Sequence, residues 1–423
     1  MKKGNVVGHS VTRVDAVDKV LGKSIFAADL RMQDMLCAKV LRSAYAHANI
    51  KGINTKKAEK LPGVVAVLTS KDVPGKNGYG IIFKDQPVLA DDKVRHFGDA
   101  VAVVAAVTEE IAEKALKLIE VDYEELPAVF SSVEAMEENA PKVHDNNILL
   151  YKKIRKGNID EALKNSAIVI TNEYKTQSIE HCYIEPEAGI AYMDGDTIVV
   201  KVATQNPHYD RKDVALNLGL PLNKIRIIQT TTGGGFGGKL DISVQCHLAL
   251  LTLKTKRPVK MVYDREESFI ASAKRHPFVI SYTTGADKDG SLLAIKAKII
   301  CDTGAYASYG SATMGRAMVH ATGPYEVPNV SIDSYCVYTN NPIAGAMRGF
   351  GVPQVAFAHE CQMDILSEKL GMSPFEIRLK NALREGSYTA TGQQLLSSVG
   401  FVETLNQAKG KGLAFLNKEG PQR

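Results

Sequence analysis

Short apolar runs alternate with amphipathic stretches along the first third of the chain. Residues 64–68 and 100–104 are continuous apolar runs, and residues 109–119 carry apolar side chains at positions 111, 112, 115, 116 and 119. Short apolar runs are typical of buried strands, and a spacing of three to four residues is typical of an amphipathic helix. The pattern predicts a small α/β domain over residues 1–135.

The polar segment 134–145 separates this region from the rest of the chain. It is acidic and contains Asn139 and Pro141, which favour loops, so we interpret it as a linker. Beyond it the pattern predicts a second domain over 136–423, with a final helix over 354–370 that Gly371 ends. The predicted strands of this domain are 189–192, 197–203, 225–229 and 259–263.

Composition changes this picture little but excludes several classes of protein. Apolar residues make up 45% and charged residues 23% of the chain, and the net charge of +5 is spread without a basic block, so nucleic acid is not an expected partner. The six cysteines form no CxxC pair, which argues against a zinc, iron–sulfur or thioredoxin-like site. We expect mostly buried, reduced thiols. The sequence shows no signal peptide and no apolar run long enough to span a bilayer, so we expect a cytoplasmic protein.

The densest chemical signal is the run TTTGGGFGGK at residues 230–239, between the predicted strand 225–229 and a predicted helix over 241–253. Five glycines in six positions allow backbone N–H groups to approach an anionic or strongly polar ligand. Gly233, Gly235 and Gly238 fit a dinucleotide-binding fingerprint, but Gly233 lies five residues beyond Ile228, the last apolar residue of the preceding strand. A phosphate-binding P-loop would need Ser or Thr in place of Leu240. A purely structural glycine turn stays open. Glycines recur at positions 304, 310, 315, 323, 345, 349 and 351.

Other motifs surround this run in a fixed order. They are EHCYIEP at 180–186, ATQNP at 203–207, PYEVPNV at 324–330 and AMRGFGVPQ at 346–354. The ordered set resembles the xanthine dehydrogenase and aldehyde oxidase family of molybdenum hydroxylases. The resemblance implies an α+β chain, in which residues 1–135 form a hammerhead-like α/β domain and residues 136–423 form the first of two elongated mixed α/β molybdenum-binding domains.

The resemblance also implies a cofactor and its contacts. The cofactor is molybdopterin, expected as the cytosine dinucleotide, with molybdenum carrying a terminal sulfido or selenido ligand. Gln205 is expected to hydrogen-bond a ligand of the metal, which a neutral amide can do without adding charge. The expected cofactor contacts are Gln205, Gly234, Gly235, Phe236, Gly237, Arg348 and Gly349, with Gln205, Phe236 and Arg348 beside the metal. The alternatives are a surface role for Gln205, a core position for Phe236 and a structural ion pair for Arg348.

Three residues carry the expectation about the substrate. The family resemblance implies that Phe350 stacks on a flat heteroaromatic ring and that Arg316 binds a carboxylate or stabilises charge on a ring nitrogen. Leu240 stands where purine-oxidising members have a glutamate, so xanthine is disfavoured. We therefore expect nicotinate, hydroxylated to 6-hydroxynicotinate, and then another pyridine, quinoline or purine-like ring. Arg316 could instead pair with a buried acid, and Phe350 could be a core residue. No cysteine lies in 344–351, so a copper-bridged carbon monoxide site is not expected.

The same resemblance implies partner chains. Glu185, Glu187 and Glu360 do not match the position of the family's catalytic glutamate, so we expect this base on a second molybdopterin subunit, as in clostridial-type nicotinate dehydrogenases. Separate [2Fe-2S] and FAD subunits would pass electrons to NAD or NADP. The alternatives are a xanthine, purine or aldehyde dehydrogenase subunit and a non-catalytic molybdopterin carrier. Retention of Arg316 and Phe350 favours an enzyme, with Gln205, Arg316 and Phe350 as its catalytic residues in this chain.

Overall fold

The computed structural model describes residues 7–419, with side chains up to residue 412. The strands of this part are β1 (Leu36–Arg42), β2 (Ala48–Asn54), β3 (Val64–Leu68), β4 (Lys93–Val94), β5 (Ala100–Ala106), β6 (Glu120–Glu125), β7 (Ile148–Lys156), β8 (Ile168–Lys175), β9 (Ala188–Asp194), β10 (Thr197–Val202), β11 (Ile225–Gln229), β12 (Val259–Val262), β13 (Lys274–Arg275), β14 (Phe278–Ala286), β15 (Leu292–Gly304), β16 (Asn329–Tyr338) and β17 (Ala344–Gly345).

Helices lie between and after these strands. The α-helices are α1 (Ala16–Val20), α2 (Lys56–Glu59), α3 (Glu109–Leu116), α4 (Ile159–Asn165), α5 (Pro207–Leu218), α6 (Gln245–Thr255), α7 (Arg265–Ala271), α8 (Gly310–Val319), α9 (Val352–Leu370), α10 (Pro374–Asn381) and α11 (Phe401–Glu419). Short 3-10 turns lie at Ala27–Asp29, Ser70–Asp72, Glu134–Met136 and Leu222–Lys224. No helix of the described residues has both the length and the apolar character needed to cross a membrane.

The largest sheet joins the two predicted domains. Its strand order is β11-β10-β9-β12-β1-β5-β3, and β1 pairs in parallel with β12 and antiparallel with β5. Leu36 and Val103 therefore share one core cluster with Val200 and Leu251. The first 135 residues also enclose a cluster of their own, with Ala102 and Val104 packed against Ala112 and Ala115, while strands from both sides of residue 135 complete the large sheet. The boundary itself stays a prediction.

The segment over 134–145, predicted as a linker, makes defined contacts with the second sheet, and its linker role stays a prediction. Ala135 and Val143 are buried against Val337 of the second sheet. Asn147 donates from Nδ2 to the carbonyls of Ala135 at 3.0 Å and Pro141 at 2.8 Å. One asparagine thus binds the backbone of this polar segment at two points, and Ala135 and Val143 are its buried residues, while several others are exposed.

A second sheet lies in the later part of the chain. Its order is β7-β16-β15-β14-β8, with α8 and α9 against it. Helix α9 ends at Gly371, which adopts a φ of +64°, so the predicted role of this glycine is confirmed. A small sheet, β4-β2-β6, belongs to the N-terminal part, and β13 pairs with β17 next to the site described below.

Most predicted elements are present, with one informative exception. The helix expected from residue 241 begins only at Gln245, because residues 236–244 form turns and bends. The cysteines are all free, but only Cys246, Cys301 and Cys336 are buried, and Cys182 is exposed, so the expectation of mostly buried thiols holds for half of them. The mixed α/β fold class is confirmed.

Candidate functional site

Three chain segments meet at the carboxyl end of β10 and β11. Strands β10 and β11 are parallel neighbours, so the residues that follow them emerge at the same edge of the sheet. The first segment is 203–206, and the second is 233–240, which we call the glycine loop. Gln205 N–H donates to the carbonyl of Lys239 at 2.8 Å. The third segment, 346–351, joins them because Arg348 N–H donates to the carbonyl of Phe236 at 2.9 Å.

The side chain of Gln205 is oriented by the glycine loop. Its Oε1 accepts from the N–H of Gly237 at 3.1 Å and from the N–H of Lys239 at 3.3 Å. The side chain is exposed, and within residues 7–419 no group accepts a hydrogen bond from its Nε2. An amide held by its oxygen presents two N–H donors outward. This orientation does not resemble that of a mobile surface glutamine.

The glycine loop leaves a row of backbone donors free. Gly234 and Phe236 adopt positive φ angles of 99° and 53°. No described residue accepts from the N–H groups of Gly234, Gly235 and Phe236, whereas Gly237 and Lys239 donate to Gln205. Consecutive unpaired N–H groups form a concave site that favours anions and oxo groups. These donors and the amide of Gln205 fit the anionic, oxygen-rich molybdopterin centre that the resemblance implies.

Side chains are excluded from two positions of this loop by close approach. A Cβ on Gly235 would lie 2.5 Å from Gln205 Oε1, and one on Gly237 would lie 2.6 Å from the carbonyl oxygen of Ala346. Gly349, at a φ of +93°, is exposed on the third segment. The glycines at 235 and 237 are therefore required by contact between segments. Since α6 begins only at Gln245, the loop does not open a helix as a dinucleotide-binding fingerprint does.

A buried ion pair anchors both ends of the glycine loop. Lys239 Nζ lies 2.8 Å from Glu185 Oε2, with side chains 1% and 9% exposed. The same Glu185 oxygen accepts from Gly233 N–H at 2.7 Å, and Lys239 Nζ lies 4.7 Å above the ring of Tyr183. Burial lowers the pKa of Lys239, although Glu185 opposes this effect. Glu185 and Lys239 both lie within motifs of the sequence, but no local pattern pairs them.

The expected substrate side is formed by α8 and the third segment. Phe350 is half-buried at a φ of +51°, and its ring meets the ring of Tyr309 edge-on at 5.8 Å. Gly351 packs against α8, since a Cβ there would lie 2.3 Å from the carbonyl oxygen of Thr313. Arg316 lies one turn further along α8. Helix α8, which carries Arg316, thus packs against Gly351, the residue that follows Phe350.

The structure gives little support to an ion pair of Arg316 or Arg348, or to a core position of Phe236. Arg316 and Arg348 are exposed, and in the described part of the chain neither forms an ion pair. Phe236 is 51% exposed, which excludes a core-filling role. Leu240 is half-buried after the glycine loop, and its N–H donates to the carbonyl of Gly237 at 3.2 Å. The roles of all these residues toward a cofactor or substrate stay predictions.

Two further residues belong to this cluster. Asn206 Nδ2 donates to the hydroxyl of Tyr309 at 3.1 Å, which connects the segment after Gln205 to the ring beside Phe350. Asn206 lies in a motif that the sequence displays. Tyr309 lies in the glycine-rich stretch without any local signal, so only the folded chain identifies it.

Comparisons with known proteins match the whole of this architecture. Residues 140–382 match the family described as Molybdopterin cofactor-binding domain, and residues 21–127 match the a/b hammerhead domain of aldehyde oxidase and xanthine dehydrogenase. The nicotinate dehydrogenase large molybdopterin subunit of Eubacterium barkeri is 51% identical over 420 residues, which cover 99% of each chain.

Longer relatives match over part of their length. A probable xanthine dehydrogenase subunit of Bacillus subtilis (strain 168) is 44% identical over 94% of this chain and 54% of its own. The solved aldehyde oxidoreductase from Desulfovibrio gigas superposes with a TM-score of 0.93 at 33% identity, over 97% of this chain and 47% of its own. The chain thus spans about half the length of these two proteins. It belongs to the xanthine dehydrogenase family of molybdenum hydroxylases, as a molybdopterin-binding subunit.

Proposed function

We propose that this chain is the large molybdopterin subunit of a multi-subunit hydroxylase that places an oxygen atom from water on an electron-poor ring carbon of an N-heteroaromatic acid. Nicotinate, converted to 6-hydroxynicotinate, is the expected substrate. The observation that carries the proposal is a set of oriented donors on Gln205 and the glycine loop, which segment 346–351 connects to helix α8. Helix α8 carries Arg316, an arginine without a carboxylate partner in the described chain.

Molybdopterin, in its cytosine dinucleotide form, would be held on the glycine-loop side. When bound, it supplies the oxygen-transfer and two-electron redox chemistry, with a sulfido or selenido ligand on molybdenum. The N–H groups of Gly234, Gly235 and Phe236 would hold its oxygens, together with Gln205 Nε2. Because these donors are fixed before the cofactor arrives, they stabilise charge without reorganising during the reaction.

The substrate would lie between Phe350 and α8. Stacking on the ring of Phe350 contributes about 0.5–1.5 kcal/mol beyond the buried area, which mainly orients a flat ring. The guanidinium of Arg316 can bind a carboxylate with two parallel hydrogen bonds. Leu240 offers no acceptor to a purine N–H, so a purine would lose the bonds that a glutamate would provide.

The proposed enzyme also contains partner chains. Three acids of this chain are already engaged in other contacts: Glu185 with Lys239, Glu187 with the hydroxyl of Tyr183, and Glu360 with Arg378 at 2.8 Å. We therefore assign the catalytic base to a second molybdopterin subunit, in keeping with relatives of about twice this length. Separate [2Fe-2S] and FAD subunits would carry electrons to NAD or NADP, and the complex would be cytoplasmic.

The test is steady-state kinetics of the co-expressed complex with nicotinate, nicotinamide and xanthine. Arg316→Met should lower kcat/KM for nicotinate by about one to two decades, because it removes a charge-assisted bond worth roughly 1.5–3 kcal/mol. The loss should be smaller for nicotinamide if Arg316 binds the carboxylate, and equal if it stabilises the ring nitrogen. Arg226→Met, an exposed arginine of β11, is the matched control and should leave the kinetics unchanged.

A purine substrate is the second candidate, because the Bacillus relative is named a probable xanthine dehydrogenase subunit. A wild-type complex that preferred xanthine to nicotinate would overturn the interpretation of Leu240 and the substrate with it. Metal analysis and turnover measurements on the chain alone test whether the site is divided between two subunits. We expect little molybdenum and no turnover until the partner is co-expressed, and robust hydroxylation by the isolated chain would contradict the need for a partner.

A further inference from the structure

The loop between β15 and α8 is buried, which is unusual for a connection. We call residues 305–309 the bridge loop. Ala305 and Tyr306 are 0% exposed and Ala307 is 1% exposed. Ser308 adopts a φ of +38°, a conformation that residues other than glycine rarely adopt. Buried backbone and a strained residue persist only where surrounding contacts fix them.

Residues far away in the sequence supply those contacts. Asp85 Oδ2 accepts from the N–H of Ala307 at 2.9 Å and from the hydroxyl of Tyr338 at 2.8 Å. Asp99 Oδ2 accepts from the hydroxyl of Tyr306 at 2.9 Å. Both carboxylates belong to the region that matches the hammerhead domain, whereas the loop belongs to the region that matches the cofactor-binding domain.

A third residue, from segment 134–145, also contacts the bridge loop. His144 Nε2 lies 2.7 Å from the carbonyl oxygen of Ala305, and its ring lies 4.2 Å from the ring of Tyr338. The bridge loop is therefore held on one side by three residues that precede β7 in the chain.

The other side of the bridge loop reaches the candidate site. Ser308 Oγ donates to Asp241 Oδ1 at 2.7 Å, directly beyond the glycine loop. Tyr309 accepts from Asn206 and meets Phe350 edge-on. Helix α8, which carries Arg316, begins at Gly310, the next residue. A displacement of the bridge loop would thus move Tyr309, Phe350 and the start of α8 together.

We propose that Asp85 and Asp99 are positioning residues, which set the substrate-side wall of the site by holding the bridge loop. The inference rests on the proposed function for the location of the substrate between Phe350 and α8. It assigns the hammerhead region a part in substrate binding, since its carboxylates fix the loop that supports Tyr309 and α8.

The test uses the co-expressed complex with Tyr306→Phe and Asp85→Ala. Tyr306→Phe removes one hydroxyl and keeps the ring, while Asp85→Ala removes the acceptor of the Ala307 N–H. Tyr151→Phe is the matched control, because it deletes a tyrosine–carboxylate hydrogen bond, to Asp333, on the exposed face of the second sheet. Three quantities are measured: amide hydrogen exchange across residues 303–312, KM and kcat for whichever substrate the wild type turns over, and the unfolding midpoint.

We expect exchange within 303–312 to accelerate about tenfold in both variants, because the bonds that oppose local opening are lost. KM should rise about three- to tenfold while kcat stays within about twofold, as expected for misplaced binding groups. The control should change neither quantity. If Asp85→Ala does not fold, amide exchange and KM of the Tyr306→Phe variant alone test the proposal.

Unchanged exchange in this segment would overturn the proposal. So would a lower unfolding midpoint with KM unchanged, since that result indicates a purely structural contact. Failure of the proposed function gives a different result. A wild-type complex that turns over xanthine and not nicotinate overturns the substrate, while the exchange and KM effects on xanthine still test the bridge loop.

Discussion

The glycine loop and the bridge loop flank the same site but are fixed in different ways. The glycine loop is shaped by backbone contacts that only glycine permits, and its anchors, Gln205 and Glu185, lie 32 and 54 positions away from their partners in the loop. The bridge loop has ordinary residues, one of them strained, and it is held by carboxylates 207 and 222 positions away.

The two loops therefore differ in how far the sequence alone reveals them. Close backbone approach leaves a sequence signature, because any side chain larger than hydrogen would collide with a neighbouring segment. A carboxylate that hydrogen-bonds to a distant loop leaves no such signature, since many acidic residues in the chain could make a bond of this kind. The glycine loop is therefore visible as a motif, whereas the position of the bridge loop depends on how two regions pack.

The largest effect should come from the ion pair that anchors the glycine loop. Lys239→Met leaves the Glu185 carboxylate buried without its counter-charge, which should lower the free energy of unfolding by about 3–5 kcal/mol. Denaturant unfolding measures the change. Lys57→Met is the control, because its partner Glu120 and Lys57 itself are 55% and 63% exposed, and such pairs contribute about 0–1 kcal/mol. Equal small effects in both variants would contradict the anchoring role.

Gln205 should affect turnover almost as strongly. Gln205→Ala should lower kcat about 10²- to 10³-fold with little change in KM, because an oriented donor toward the reaction centre is lost. Gln205→Glu separates two roles, since its carboxylate still accepts from the N–H groups of Gly237 and Lys239 but offers no donor. A fully metallated Glu variant with normal kcat would show that the side chain only anchors the loop.

A smaller loss is expected when the close approach between segments is disturbed. A methyl group on Gly235 must displace Gln205, since its Cβ would lie 2.5 Å from Oε1. Gly235→Ala should lower kcat about ten- to hundredfold, because small misplacements of a reacting group are costly. Gly410→Ala, in helix α11 with no atom within 4 Å of the added Cβ, should leave kcat unaltered. Full activity in Gly235→Ala would argue that the loop tolerates movement.

The smallest effect concerns Asp241, which connects the two loops through Ser308. Burial raises the pKa of Asp241 to about 6. The folded protein therefore holds this proton to a higher pH than the unfolded chain, and the stability that it contributes is lost as pH rises through 6. Asp241→Asn carries no such proton, so its stability relative to the wild type should improve by on the order of 1 kcal/mol between pH 4 and 7. Thermal unfolding across this range checks the sign, and a relative stability that declines instead would show that Asp241 is ionised at low pH by a favourable partner.

Part of the fold and part of the candidate site could be predicted from the sequence. Six of the seven strands of the large sheet, helix α9 and its final Gly371 followed from periodicity and residue type, whereas β1 was not predicted. Gln205, the glycine loop and Phe350 lie together as the resemblance implies, and their chemical roles stay predictions. The linker role of residues 134–145 stays a prediction, and composition did not show that Asn147 binds the backbone of that segment. The start of α6 was placed four residues early, since apolar pattern does not show how far the turns after the glycine loop extend.

By itself, the sequence determined the mixed α/β class, because hydrophobic periodicity acts over a few residues, and its ordered motifs indicated the family and the glycine loop. Only the tertiary structure decided that β1 and β12 join the two predicted domains in one sheet and that Asp85 and Asp99 hold the loop before α8. Such contacts depend on where distant segments pack. A buried carboxylate acquires its partner only when the folded chain brings a donor within hydrogen-bond distance.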